Sequence, residues 1–388
     1  MTIVTWNYPT SIAFGPGAIA QLPQTCADLG MRRPLVVTDS GLKTAPFIAR
    51  VLQDCRAAGL AAELFAGVQG NPVDENVAAA LAAYKGQSCD GVVSVGGGSA
   101  LDVGKTLALI AGQTASLWEL GGAEDDWSGI DGDSIAPQIA VPTTAGTGSE
   151  VGRAAVITDT AARVKKIIFH PQMLPPRVIA DPELTLGLPP HLTAATGMDA
   201  LVHSFEAYCA TGFHPMADGI ALEAMRLVAA SLPRAFADGG DLEARTQMLA
   251  AATMGATAFQ KDLGAVHALA HAIGALFNVH HGLTNAILLP YVMLANRAAI
   301  EDKMVPLARV LNLPATGISS FEAVFEWVLA LRGSLAIPHT LDEIQVAAGR
   351  ADDIGSLAAT DPCAAGNPIG FDAGHYAEIF TRAVEGQL

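Results

Sequence analysis

The sequence predicts two domains of different class, an α/β half over residues 1–183 and an all-helical half over residues 184–388. Residues 1–183 alternate short β-branched runs with Ala-rich helical runs, the pattern of a parallel sheet covered by helices. From Asp181-Pro182 onward the chain turns to long Ala/Leu-rich helical runs with few β-branched stretches. A length of 388 residues is itself enough for two sizeable cores.

In the first half, Pro34 to Thr38 (PLVVT) reads as a buried strand ending at Asp39, followed by a helix from Lys43 to Ala58. Ala62 to Phe65 is a second strand, and Asn71-Pro72 opens a helix from Val73 to Lys85. Asp90 to Val95 is a third strand. It runs into Gly96, Gly97, Gly98 and Ser99 and then a helix from about Ala100 to Ala111. Glycines between a strand and a helix let backbone N–H groups approach an anion, so this turn is a candidate phosphate cradle, with an ordinary tight turn as the alternative. Two familiar motifs fail here. Leu101 stands where GxGxxG needs its third Gly, and Ser99 stands where GxxxxGK[ST], read onto Gly104-Lys105-Thr106, needs its first Gly. Ile139 to Val141 is a further core strand, followed by the hydroxyl- and glycine-rich run Pro142 to Glu150 (PTTAGTGSE), where open α/β sheets bind ligands. Short strands follow at Ala155 to Thr158, Lys166 to Phe169 and Val178 to Ala180.

In the second half, four of the ten histidines fall in the apolar stretch Gly264 to Asn285. His267 and His271 are four apart and share one helix face; His280 and His281 follow where Gly282 would end that helix. Upstream, Pro189 and Pro190 suit a helix start, and Asp199 and His203 are again four apart. Asp199, His203, His267 and His281 together would supply three nitrogens and one oxygen to a divalent transition metal, with positions left for a substrate oxygen. A satisfied core histidine is the alternative for any one of them.

Composition narrows the partners. Hydrophobic residues make up 51% and charged residues 15%, which suits a compact protein, and a formal charge of −16 disfavours nucleic acid and anionic membrane. The N-terminus lacks a basic leader with an apolar core, and no uninterrupted run of about eighteen apolar residues is present, so neither a signal peptide nor a membrane span is expected. Five scattered cysteines without a CxxC fit a reduced cytoplasm.

Taken together, GGGSALDVGK (96–105), PTTAGTGSEV (142–151), DPELTLGLPP (181–190), GMDALVHSFEAY (197–208), HALAHAIGALFNVHHG (267–282) and DPCAAGNP (361–368) resemble the iron-dependent (group III) alcohol dehydrogenases, over essentially the whole chain. The resemblance implies a Rossmann-like nucleotide-binding domain and an all-α domain of the dehydroquinate synthase-like type, with metal-dependent hydride transfer between a primary alcohol or diol and NAD in the cleft between them. It implies Asp199, His203, His267 and His281 as metal ligands, with Fe(II) favoured and Zn(II) open. His271 becomes a candidate proton shuttle, and His280 has no family role. Gly97, Gly98 and Ser99 would hold the pyrophosphate, Thr143, Thr144 and Thr147 would line the nicotinamide, and Asn71 and Lys165 would be further cofactor contacts. Ala154, Phe259 and Cys363 would border the substrate, where Gly152 and Ala154 depart from the larger residues common among relatives. Relatives are commonly dimers or larger, and Ile3 to Phe14 reads as an edge strand or hairpin suited to such pairing.

Asp39, at the end of the first strand of the nucleotide fold, can accept hydrogen bonds from ribose hydroxyls and would repel a 2′-phosphate, which favours NAD(H) over NADP(H). A strand-end turn role is the alternative. Competing readings are a hydroxyacid–oxoacid transhydrogenase or maleylacetate-type reductase of the same fold and, from another class, a metal-dependent hydrolase or metal-storing protein. Four metal ligands argue against the reductase, and the glycine turn with Asp39 argues against the non-redox class. Arg153 and Lys166 are the only hints of an anionic substrate site.

Overall fold

The computed structural model describes residues 6–120, 129–162, 164–314 and 317–388. Contacts divide the chain into two compact units. One comprises Tyr8–Thr144 and Gly148–Thr185; the other comprises Leu186–Leu388 with Ala145–Thr147 and residues 6–7.

The first unit is built on six parallel strands in the order β1-β8-β5-β4-β2-β3: β1 Ser11–Phe14, β2 Pro34–Asp39, β3 Glu63–Val68, β4 Gly91–Gly96, β5 Gln138–Pro142 and β8 Arg177–Ala180. Every residue of β4 and β5 is buried, as a strand covered on both faces must be. The period of two sorts their side chains. Leu35, Val37 and Val92 pack on one face with Val103 and Leu107, while Val36, Val93, Val95 and Ile139 pack on the other with Leu22, Ile48 and Val51. The helices supplying these contacts are α1 Leu22–Asp28, α2 Pro46–Ala57, α3 Asp74–Gly86 and α4 Gly98–Ile110; α5 Leu117–Leu120 is a single turn.

The chain leaves β2 for β3 on one side and returns to β4 on the other. Strand order therefore reverses between β2 and β4, where open α/β sheets carry their ligand crevice at the carboxyl ends. Asp39 and Gly96 are those ends. Two strands stand apart from the sheet: β6 Ala154–Asp159 and β7 Val164–Phe169 form an antiparallel pair, which their sequence alone did not distinguish from further sheet strands. Ala155 and Ile157 of β6 and Ile168 of β7 bury into the core beneath α4. Of the N-terminal segment Ile3 to Phe14, residues 3–5 lie outside the described residues; the strand is confined to Ser11–Phe14 and pairs with β8.

The second unit is helical: α6 Pro190–Cys209, α7 Pro215–Ala237, α8 Leu242–Ala258, α9 Ala265–Phe277, α10 His281–Val310, α11 Ser320–Ser334, α12 Ala351–Ala359 and α13 Ala373–Glu385. Its centre is α6, buried without a break from Thr193 to Cys209. Two cations close its C-terminal end, where Lys303 Nζ and Lys261 Nζ lie 2.6 and 3.3 Å from the Tyr208 carbonyl.

Gly282 does not end a helix, contrary to the sequence reading. Asn278, in the left-handed conformation at φ 53°, ends α9, and His280 caps α10, in which Gly282 is the second residue. Its lack of a side chain serves helix packing: a Cβ there would fall 2.5 Å from the Ala195 carbonyl oxygen of α6. Helix α10 is 30 residues long with an 18-residue window of mean hydropathy 1.2, but 67% of that window is buried inside the protein, as for a core helix.

Candidate metal centre and cofactor-binding turn

Helix periodicity places the donors. Asp199 and His203 project from one face of α6, His267 from α9, and His281 from the first turn of α10. Ligand atoms of Asp199, His203 and His267 lie within 4.8 Å of one another. Asp199 Oδ1 is 3.7 Å from His281 Nε2 and 4.0 Å from His203 Nε2. A cation with bonds of about 2.1 Å needs tetrahedral donors about 3.4 Å apart; Asp199 Oδ1 stands near that spacing from His281 Nε2, whereas His281 falls outside the mutually close group of Asp199, His203 and His267 and would have to draw in to complete a four-ligand set. The rings crowd together, His203 stacking on His267 at 4.7 Å and His267 lying 5.3 Å from His281.

Burial holds His267 as a neutral imidazole, its pKa well below the ordinary value, with the neighbouring His203 adding to the effect. Its Nδ1 lies 2.6 Å from Glu206 Oε2. Burial pushes Glu206 up to about 7, against hydrogen bonds it accepts from the backbone of the Gly264 to His267 turn. In the tautomer with its proton on Nδ1, His267 donates to Glu206 and offers Nε2 as its ligand atom. A carboxylate behind a ligating imidazole is the usual way a metal site fixes tautomer and ring orientation.

His271 lies beside this cluster, its ring stacked on His281 at 5.4 Å. Its Nδ1 is 2.9 Å from Asp361 Oδ2, which directs Nε2 away from the carboxylate. The Cys363 thiol lies within 4.8 Å of both, and burial with the adjacent Asp361 carboxylate pushes its pKa well above the ordinary thiol value. Phe259 sits 5.2 Å from the His203 ring. Phe259 and Cys363 thus border the donor cluster within the helical unit, whereas Ala154 opens β6 in the α/β unit. His280 serves as the N-cap of α10.

In the α/β unit, α4 starts at Gly98 with Gly97 as an extended N-cap, so the first amides of the helix face the turn. Gly96 has φ 155°, and a Cβ there would meet Ala100 Cβ at 2.6 Å and Asp39 Oδ2 at 3.3 Å. Asp39 therefore adjoins the glycine turn. It also fills the turn role, because Oδ1 accepts from the Leu42 amide at 3.0 Å. The Thr143 amide donates to Gly96 O at 3.0 Å, and the Thr144 side chain lies 3.3 Å from the Cβ position of Gly97. Ser99 is the second residue of α4. Thr147 groups with the helical unit. Lys165 Nζ donates to Asn71 Oδ1 at 3.0 Å, and burial lowers its pKa to about 8.

Lys105, the lysine of the failed phosphate-loop match, is 1% exposed and its ammonium bonds Ser149 O at 3.0 Å, the Ala154 carbonyl and Asp102 Oδ1 at 3.3 Å. It fastens the loop after β5 instead of reaching a phosphate. Arg153 lies over the Phe169 ring, and Lys166 pairs with Asp159 at 2.7 Å.

Two family models match the chain: iron-containing alcohol dehydrogenase over residues 9–182, and Fe-containing alcohol dehydrogenase family, C-terminal, over residues 193–384. The chain belongs to the iron-containing alcohol dehydrogenase family. It is 38% identical to the 4-hydroxybutyrate dehydrogenase of Cupriavidus necator over 97% of its length and 99% of that protein. It is also 38% identical to the 1,3-propanediol dehydrogenase of Klebsiella pneumoniae, over 95% and 96% of the two chains. Its fold matches a crystal structure of 1,3-propanediol oxidoreductase with a TM-score of 0.93, 37% identity and coverage of 98% and 100%. The enzyme is thus an oxidoreductase of the alcohol dehydrogenase type with a Rossmann-like α/β unit and a helical unit.

Sequence reasoning passed over Glu206 and Asn285. Both were signalled by spacing, since Glu206 continues the series Asp199, His203 by three residues and Asn285 follows His281 by four. Asp361 lay inside a quoted motif, but nothing in the spacing tied it to His271.

Proposed function

We propose that the enzyme interconverts a short primary alcohol or diol and its aldehyde with NAD, using Fe(II), or Zn(II) in its place, held by Asp199, His203, His267 and His281. The supporting observation is the cluster of Asp199, His203 and His267 from two helices, with His281 Nε2 of a third helix 3.7 Å from Asp199 and His267 held neutral by burial. A bound divalent cation supplies a Lewis acid that lowers the pKa of an alcohol hydroxyl, as it does for water.

The protein's own groups do the rest. His271, its Nδ1 held by Asp361, presents Nε2 to relay the hydroxyl proton. Gly97, Gly98 and Ser99 offer backbone amides to the pyrophosphate, Thr143, Thr144 and Thr147 line the nicotinamide, and Asn71 and Lys165 make further cofactor contacts. Asp39 accepts ribose hydroxyls, which selects NAD over NADP. Phe259, Cys363 and Ala154 shape the substrate site. The relatives' named substrates, 4-hydroxybutyrate and 1,3-propanediol, are short chains with a second polar group, and a substrate of that kind suits this chain. Engagement of Arg153 and Lys166 within the α/β unit favours a neutral diol over an anion. We also propose domains spanning 1–183 and 184–388, a homodimer or larger assembly, and a cytoplasmic location.

The test is an anaerobic assay of chelator-stripped protein reloaded separately with Fe(II) and Zn(II), following NADH over a panel of short alcohols and diols. Metal- and NAD-dependent turnover is expected. Turnover only when an oxoacid is added, with NAD retained through the cycle, would replace this reading with transhydrogenation.

A further inference from the structure

Asn285 is a polar residue at the heart of the helical unit to which the reading above gives no task. It stands one turn after His281 on α10 and is 0% exposed. Its Nδ2 lies 2.7 Å from Asp199 Oδ1, 3.1 Å from His281 Nε2 and 3.2 Å from His267 Nε2. Its Oδ1 is buried with no hydrogen-bond partner among the described residues.

An amide nitrogen carries two hydrogens, and here three acceptors face it. Asp199, the shortest contact and the charged one, takes the first. That bond also fixes the orientation of the amide, since turning it over would set two oxygens 2.7 Å apart. The second hydrogen faces Nε2 of His281 and Nε2 of His267, each a lone pair when its ring carries the proton on Nδ1. A carboxylate and two imidazole lone pairs aimed at one point repel one another, and an N–H at that point offsets the repulsion. A buried amide with an unsatisfied oxygen is a costly filler, and an apolar side chain of similar size would pack there without that cost. The donor end is therefore what the position requires.

We propose that Asn285 is a positioning residue of the metal centre, whose amide holds the Asp199 carboxylate and keeps the imidazole lone pairs converged for a divalent cation. The proposal rests on the assignment of Asp199, His203, His267 and His281 as ligands. The experiment compares the parent, Asn285→Ala, Asn285→Asp and His267→Ala, each stripped of metal and titrated with Zn(II) against a chromophoric chelator. The visible spectrum of each Co(II)-loaded protein is recorded in parallel. The parent should bind one Zn(II), and His267→Ala should lose it. Asn285→Ala should bind roughly 10- to 100-fold more weakly, the usual effect of removing a partner of a metal ligand, and its Co(II) bands should shift. Asn285→Asp keeps the shape and loses the donor, so its Co(II) bands should shift even where the added charge restores affinity; it decides the matter if the Ala variant does not fold. Parent-like zinc affinity in Asn285→Ala with parent-like Co(II) bands in both variants would overturn the proposal. Zinc binding by His267→Ala equal to the parent's would refute the ligand assignment itself, and the proposal with it.

Discussion

Replacing Glu206 with Gln changes one atom of the carboxyl group and should cost the metal site its tautomer. Glu206 Oε1 accepts from the Val266 amide at 2.7 Å, and Oε2 faces His267 Nδ1 at 2.6 Å. A glutamine can satisfy only one of these with its single oxygen. If the oxygen stays on Val266, the new NH2 forces Nδ1 of His267 to accept, and the ring proton moves to Nε2, where the lone pair for the cation is needed. If the amide turns over, two donors meet at Val266. The first arrangement keeps both bonds but removes the lone pair the cation needs, and the second leaves one buried bond unmade at about 1–3 kcal/mol; either should bring the roughly 10- to 100-fold loss of metal affinity seen when such a partner is removed. The assay is chelator competition for Zn(II) at pH 8, with circular dichroism of the metal-free protein as the control for folding. Unchanged zinc affinity in a folded Glu206→Gln protein would refute the tautomer argument.

Asp39→Gly should raise the NADP/NAD ratio of kcat/KM by tenfold or more, and an unchanged ratio would leave Asp39 only its turn bond to Leu42. Lys165 should lose its ammonium as pH rises through about 8. NAD affinity should fall there in the parent and stay flat in Lys165→Met. Because the unfolded lysine keeps its proton to about 10.4, stability should rise with pH between the two values. Asp361→Asn should lower kcat about tenfold by loosening His271, while zinc affinity is unchanged. Gly282→Ala should force α10 from the Ala195 carbonyl and the nearby Asp199, costing about 1–3 kcal/mol by thermal melting and weakening zinc binding.

The clustering of Asp199, His203 and His267 was legible because helical geometry converts a spacing of four into a shared face; Asp199 with His203 needed nothing more. The glycine turn beside Asp39 was legible because a strand, three glycines and a helix can be joined in few ways. What escaped the sequence depended on long-range approach. Gly282 read as a helix stop because glycine commonly ends helices, whereas here it admits a backbone carbonyl of α6, and an asparagine supplies the stop. The β6–β7 pair escaped because pairing partners are not written in a strand's own residues. Glu206 and Asn285 were visible as spacings, but their importance lies in atoms 2.6 and 2.7 Å away on other helices. The sequence already failed the phosphate-loop pattern around Lys105 at Ser99, and the structure shows what that lysine does instead, bonding three oxygens of its own chain.

The most direct test of the central claim is a crystal grown anaerobically with Fe(II) and measured at the iron absorption edge. A single anomalous peak per chain, bonded to Asp199, His203, His267 and His281, is the expected result. A peak held by other residues, or iron bound stoichiometrically in solution yet absent from these four side chains, would contradict the account.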